Sequence, residues 1–337
     1  MADVKLSLIG AGGWGANVLR ALTKVKGAKL VSVCDTNPDR VKSLSTQYPN
    51  LNFVSDSNEV QKDNSIDAVV IATPSPTHAE IAKKFLKSGK AVFVEKPMAL
   101  NLADAQELYE LSMNDSGPPM MVGHLLVYHP ATKIVKDLIS NGEIGDVFYL
   151  YSKRLNLGIV RQNENVLWSL APHDISVILY LMGETPKAVM AHGSSYLTKG
   201  VDDVAFMTLF FSGDKMAQIH VSWLDPFKER KIVAVGSKKM VVFDDMQTTE
   251  KVKIYNKSAE VKGSANLIES ISIRHGEITS PLVAPDEPLL KEMNYFIEYI
   301  GGGRPHLSGP KEGLDVVRVL TAGNESMAKG GEVIALT

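Results

Sequence analysis

A single cysteine in 337 residues excludes an internal disulfide and any site built from several thiolates. Cys34 lies inside an apolar run, which suits a core position better than a nucleophile. No apolar stretch approaches the roughly 20 residues needed to span a bilayer, so no membrane association is expected. The chain starts almost at once with an apolar strand and shows no basic-then-apolar leader, which makes the cytoplasm the expected compartment. Runs of lysine and arginine are missing too. The 36 basic and 38 acidic side chains leave a formal charge of −2, so nothing suggests a nucleic-acid partner. The histidines have no metal-ligand spacing, no metal is expected, and there is neither an internal repeat nor a low-complexity segment.

What the chain does have is the balance of a globular protein, 45% apolar and 22% charged, at a length that favours two domains. Over residues 1–123 short apolar runs alternate with segments of helical periodicity, the pattern of an α/β Rossmann domain with a parallel sheet. Residues 124–337 differ. Helices are expected at 130–139 and 174–181, followed by strands at 147–155, 188–192, 205–211, 217–223, 231–235, 240–243 and 251–255 without helices between most of them. Tight turns such as Ser212-Gly213-Asp214-Lys215 then imply an α+β domain with an open, mostly antiparallel sheet. Helices near 292–300 and 313–328 are expected to pack back on the first domain, and residues 258–288 carry little readable pattern.

Gly10-Ala11-Gly12-Gly13-Trp14-Gly15 directly follows the apolar run Val4–Ile9, and Asp35 closes the next apolar run about twenty residues later. A G-x-G-x-x-G between a strand and a helix, with an acid at that distance, reads as a dinucleotide site. Gly10 permits the turn, Gly12 lets the backbone approach a pyrophosphate, and Gly15 lets the helix pack on the sheet. The helix N-terminus supplies N–H groups for phosphate oxygens, with Gly13 and Trp14 at its start. Asp35 is placed to accept from the adenosine ribose hydroxyls and to repel a 2′-phosphate, which favours NAD over NADP, although Arg40 is close enough to offset some of that charge.

Ligands of α/β sheets bind at the carboxyl ends of the strands, which selects Thr73-Pro74-Ser75, Glu95-Lys96-Pro97 and His124. Lys96 closes a buried apolar strand, so its ammonium either reaches a cleft, where it can hold a hydroxyl or relay a proton, or forms an ordinary strand-end salt bridge. The pair His124 and Tyr128 either lines the pocket or packs in the core, with lining preferred. Trp168 is suited equally to stacking on a sugar and to a core position.

Taken in order, the glycine motif, Asp35, Ile71-Ala72-Thr73-Pro74 with His78, and Glu95-Lys96-Pro97 resemble the Gfo/Idh/MocA family of nicotinamide-dependent oxidoreductases. The resemblance runs on through Gly142-Glu143-Ile144-Gly145 and His173. It implies an NAD-dependent dehydrogenase acting on a CH–OH group, with Lys96 between nicotinamide and substrate and His173 as the proton-accepting histidine. It also implies that Thr73, Pro74, His78 and Glu95 belong to the cofactor site, that Pro97 follows a cis peptide, and that a homodimer or homotetramer forms through the open sheet.

One position departs from the family pattern: Ser169 stands where an aspartate often precedes the histidine by four residues, leaving Lys96, His173 or Asp174 to share the proton. Arg154-Leu155-Asn156-Leu157-Gly158, Leu167-Trp168 and Ala171-Pro172-His173-Asp174 resemble the branch of sugar-nucleotide 3-dehydrogenases, which oxidise C3 of UDP-linked N-acetylglucosamine or its uronic acid. On that reading Arg154, Asn156 and Arg161 bind pyrophosphate, hydroxyl or carboxylate groups; otherwise Arg154 ends an edge strand and Arg161 faces solvent. The expected partner is thus a sugar or nucleotide sugar. The alternatives are a dehydrogenase of a free sugar or inositol, an NAD-dependent glycosidase-type enzyme, and a non-catalytic dinucleotide sensor.

Overall fold

A computed structural model describes residues 3–114, 117–158, 160–162, 164–262, 270–302 and 307–336. The chain divides into two compact units. The first runs to Tyr128 and takes in Glu287–Val317; the second holds His129–Asp286 and the chain from Arg318 on.

In the first unit β1 (Val4–Ile9), α1 (Gly13–Leu22), β2 (Ala28–Cys34), α2 (Pro38–Gln47), β3 (Asn52–Val54), α3 (Ser57–Lys62), β4 (Ala68–Ile71), α4 (His78–Lys87), β5 (Ala91–Glu95), α5 (Leu102–Met113) and β6 (Met120–Gly123) alternate. The strands form one parallel sheet of order β3-β2-β1-β4-β5-β6, the doubly wound arrangement. Strands β4 and β5 are buried on both faces, as their unbroken apolar runs require. Asn37 caps α2 by accepting from the N–H groups of Asp39 and Arg40, with Pro38 at the first helical position. Two short elements, β3 and α3, escape the hydrophobic pattern because they bury little more than Val60.

The second unit contains α6 (Pro130–Ser140), β7 (Val147–Leu155), α7 (Val166–Met182), β8 (Ala188–Ser194), β9 (Val204–Phe210), β10 (Met216–Ser222), β11 (Glu229–Gly236), β12 (Met240–Asp244), β13 (Val252–Tyr255), β14 (Ser258–Lys262), β15 (Ser270–Arg274) and β16 (Ile278–Thr279). α8 (Pro288–Ile300) lies in the first unit, α9 (Pro310–Ala328) crosses the division after Val317, and β17 (Ile334–Ala335) closes the second unit. Among the described residues a sheet of order β16-β13-β12-β11-β7-β10-β9-β8-β17 forms, antiparallel except where β10 pairs with β7. Helix α7 packs on β7, β9 and β10, and the opposite face carries the exposed side chains of Tyr149, Phe206 and Met216.

Helix α7 starts at Val166, well before the expected position 174, and Pro172 lies inside it. Asn165 accepts from the Trp168 N–H and so nucleates the first turn; Pro172 then removes only one helical hydrogen bond. Gly183, at φ 72°, ends the helix in the left-handed region.

Among the described residues no helix is long and apolar enough to cross a membrane, and no group of three His, Cys, Asp or Glu could hold a metal ion.

Candidate active site

The four glycines of the loop between β1 and α1 have separate duties. Gly10 has φ +89°, and a Cβ there would lie 2.8 Å from Thr73 Cγ2 and 2.9 Å from the Ala72 carbonyl. At Gly15 it would lie against the Gly10 carbonyl oxygen, 2.3 Å away, so this glycine lets helix and strand meet. Gly13 has nothing within 4 Å, and Gly12 meets only the tip of Arg40, at 3.8 Å. Open space at those two positions, beside a helix N-terminus that no side chain caps, fits a dinucleotide pyrophosphate.

Asp35, at the end of β2, accepts from the N–H groups of Ala11 at 2.8 Å and Asn37 at 2.9 Å. Arg40 Nη1 adds contacts of 3.0 and 2.9 Å to the two carboxylate oxygens. Burial works to raise its pKa, but the bonds from Asn37, Ala11 and Arg40 together bring it below the usual range. Asp35 is therefore ionised, and both its oxygens already accept hydrogen bonds within the chain. Cys34 beside it is buried and held at about 11 by burial, a core thiol.

At the end of β4, Thr73 is half-buried against the Gly10 position and Pro74 is exposed. His78 is buried, with Nε2 2.8 Å from the Thr73 carbonyl and Nδ1 2.8 Å from the Pro97 carbonyl. Instead of presenting a ring nitrogen to the cofactor, it ties together the two loops that follow β4 and β5. Burial pushes its pKa down more than the two carbonyls push it up.

At the end of β5 the Lys96–Pro97 peptide is cis and Lys96 is half-buried. Glu95 is buried and accepts from Trp14 Nε1 at 2.5 Å, a bond joining the glycine loop to the residue before Lys96. Burial lifts the Glu95 carboxyl to about 7, against the opposing effects of the Trp14 bond and the Lys96 charge. Glu292 of α8 is fully buried and, among the described residues, neither carboxylate oxygen is hydrogen-bonded; burial, then the charge of Glu95, raises its pKa well above the usual range. The sequence reading missed it, although Glu292 falls on the stripe Leu289, Met293, Phe296 that α8 buries, and an acid on an apolar stripe is itself a signal.

His124 is buried with both ring nitrogens unpartnered, and burial, then the charge of Lys96, brings its pKa down to about 3. It is a neutral imidazole near the lysine. Tyr128 is corrected: its hydroxyl lies 2.7 Å from Ser308 Oγ, and its ring meets Tyr295 edge-on in a buried contact, so it packs and does not line a pocket.

In the second unit His173 is half-buried in the middle of α7, with Ser169 buried one turn before it. Asp174 is fully buried and grips Arg154, with Nε 2.6 Å from Oδ2 and Nη2 3.4 Å from Oδ1. Two expectations are thereby corrected. Arg154 is not waiting for a pyrophosphate, and Asp174 is not available to share a proton with His173, because each neutralises the other in the interior. Arg161 is exposed and paired with Glu164 at 3.0 Å. Asn156 is half-buried, its amide beside Gly158, and Trp168 is half-buried on the first turn of α7.

Two family profiles match the chain, "Oxidoreductase family, NAD-binding Rossmann fold" over residues 4–124 and the Gfo/Idh/MocA C-terminal domain over residues 132–242. The chain belongs to the Gfo/Idh/MocA family. It is an oxidoreductase with an NAD-binding Rossmann domain. The crystal structure of a Magnetospirillum magnetotacticum protein called an oxidoreductase is 31% identical, covers 95% of this chain and 99% of its own, and superposes with a TM-score of 0.81. The Bacillus subtilis scyllo-inositol 2-dehydrogenase (NAD(+)) is 30% identical over 57% of both chains. The 2,7-anhydro-N-acetylneuraminate hydratase of Escherichia coli is 24% identical over 83% of this chain and 78% of its own.

Proposed function

We propose that this Gfo/Idh/MocA member oxidises a secondary alcohol of a sugar or cyclitol, with Lys96 Nζ holding the reacting hydroxyl and an imidazole nitrogen of His173 receiving its proton. The observation that carries the reading is the Lys96–Pro97 turn at the end of β5, which the His78 bond to Pro97 holds and the Trp14–Glu95 bond links to the glycine loop. Gly12, Gly13 and Asp35 would hold NAD, which when bound supplies the hydride acceptor. The Lys96 ammonium stabilises negative charge building on the oxygen, and an imidazole suits a base at neutral pH.

Free sugars and inositols suit the site better than a UDP-linked sugar. The two guanidinium groups that a pyrophosphate would need, those of Arg154 and Arg161, already hold Asp174 and Glu164. The hydratase relative supports a second reading, a net non-redox reaction, and accumulation of NADH distinguishes the two. We further propose self-association through the sheet face bearing Tyr149, Phe206 and Met216, with molecular mass in solution as the check.

Replacing Lys96 with alanine is expected to cost about 10²–10⁴-fold in turnover while NAD affinity stays within twofold of wild type. His173→Ala is expected to lose the limb of the pH–rate profile that reports the base. Wild-type turnover in Lys96→Ala, or an unaltered profile in His173→Ala, would end the assignment of roles.

A further inference from the structure

Arg230 on β11 pairs with Arg154 on β7, so two arginines sit directly opposite each other on one face of the sheet. Like charges at such cross-strand positions repel, because the Cβ atoms are only about 5 Å apart. For Arg154 the repulsion is offset by Asp174, which engages its guanidinium at two points. Arg230 feels only the charges of Asp245 and Asp174 from beyond ion-pair contact, and they do not outweigh burial and Arg154. Among the described residues no carboxylate lies in ion-pair contact with it, and no acceptor is hydrogen-bonded to its side chain.

The acids around it are already matched. On its own face Asp245 contacts Lys251 at 3.1 Å and lies 3.7 Å from His129; on the opposite face Asp244 lies 3.6 Å from Lys231 and Glu229 3.7 Å from Lys153. With Asp174 committed to Arg154, the cluster carries one positive charge in excess, and that charge is on Arg230. The side chain is solvent-accessible, yet its surroundings lower its pKa, burial first and the Arg154 charge second. Its position is tied to the candidate base through a short chain of neighbours: His173 precedes Asp174 on α7, Asp174 holds Arg154, and Arg154 faces Arg230.

We propose that Arg230 is a substrate-recognising residue that takes a carboxylate borne by the sugar or cyclitol, with Arg154 as a positioning residue held by Asp174. This rests on the dehydrogenase reading above and narrows it to an acidic polyol. A planar guanidinium donates two parallel N–H···O bonds to a carboxylate. A single unbalanced positive charge also matches a monoanion better than a dianionic phosphate ester.

The test is calorimetric titration of the NAD-loaded protein with D-glucose against D-glucuronate, D-galactose against D-galacturonate, and glucose 6-phosphate, using wild type, Arg230→Ala and Arg230→Lys. In at least one pair the acid is expected to bind about tenfold or more tightly than its neutral twin. Arg230→Ala should bring the pair within twofold; Arg230→Lys should keep part of the preference. The proposal is overturned if no pair shows an acid preference, if the preference survives in Arg230→Ala, or if glucose 6-phosphate binds more tightly than both uronates. NADH formation is followed in the same samples. NADH from neutral sugars with no acid preference removes the role of Arg230 and keeps the dehydrogenase. An Arg230-dependent acid preference without NADH from any sugar does the reverse.

Discussion

Gly10, Gly13 and Gly15 are alike in the sequence, but an added methyl group would meet different surroundings at each. At Gly10 it meets backbone at 2.9 Å in a left-handed conformation, φ +89°. The conformation costs about 1–2 kcal/mol and the overpacking about 1–3, so Gly10→Ala is expected to destabilise by about 2–5 kcal/mol. Gly15→Ala drives a methyl against the Gly10 carbonyl oxygen with no flexible tip to yield, and should cost about 1–3 kcal/mol. Gly13→Ala has the opposite sign. Its methyl enters open space at the first residue of α1, and alanine's helix preference adds up to about 1 kcal/mol. The same methyl then stands where a pyrophosphate must approach, and a loss of about tenfold in NAD affinity removes about 1.4 kcal/mol of ligand stabilisation. Thermal melts with and without NAD read both effects, at about 2–4 °C per kcal/mol for units of this size. Gly10→Ala should melt about 4–20 °C lower, whereas Gly13→Ala should melt no lower than wild type but gain about 3–6 °C less from NAD. If Gly13→Ala melts as low as Gly10→Ala, or gains as much from NAD as wild type, the division of labour in the loop is wrong.

Glu95 lies at about 7 in the folded protein against an ordinary 4.5, so the native state holds the extra proton and stability falls as pH rises between those values. The full shift amounts to about 3 kcal/mol, and melting temperatures across that window should flatten in Glu95→Gln; an unchanged slope would assign the effect elsewhere. Asp174→Ala leaves the Arg154 charge buried and unpaired, which is expected to cost about 3–5 kcal/mol in chemical denaturation. Converting both partners to apolar residues, Arg154→Met with Asp174→Leu, should recover most of that loss. A double variant as unstable as the sum of its singles would refute it.

Much of the fold was legible because it follows from demands that a sequence states locally. Parallel strands buried on both faces need unbroken apolar runs, and β4 and β5 have them. A helix start needs a cap, and Asn37-Pro38 provides one in sequence and in structure. Elements that bury little went unseen: β3 and α3 in the first unit, and the two-residue strands β16 and β17, whose pairing depends on neighbours far along the chain. Helix α7 starts eight residues before the expected position because the Asn165 cap and the packing of the helix on three strands outweigh the one hydrogen bond that Pro172 removes.

Site residues divide along the same physical line. Glycines announce themselves, since the conformation or the space that requires them leaves no other residue type, and Gly10 and Gly15 show that requirement directly. A charged or polar side chain announces only its own chemistry and not its partner's. Tyr128 was read as a pocket residue because the hydrogen-bond partner of its hydroxyl, Ser308, lies 180 positions away. Arg154 was read as an anion binder because its counter-charge, Asp174, comes from another element. Correcting Arg154 does more than remove one candidate. Once its carboxylate is counted, the cross-strand neighbour Arg230 is the arginine left without one, a residue that carries no motif and that only strand register brings into view. An excess charge of one, next to the helix that bears His173, is a constraint on the substrate that the glycine loop and the lysine turn do not supply.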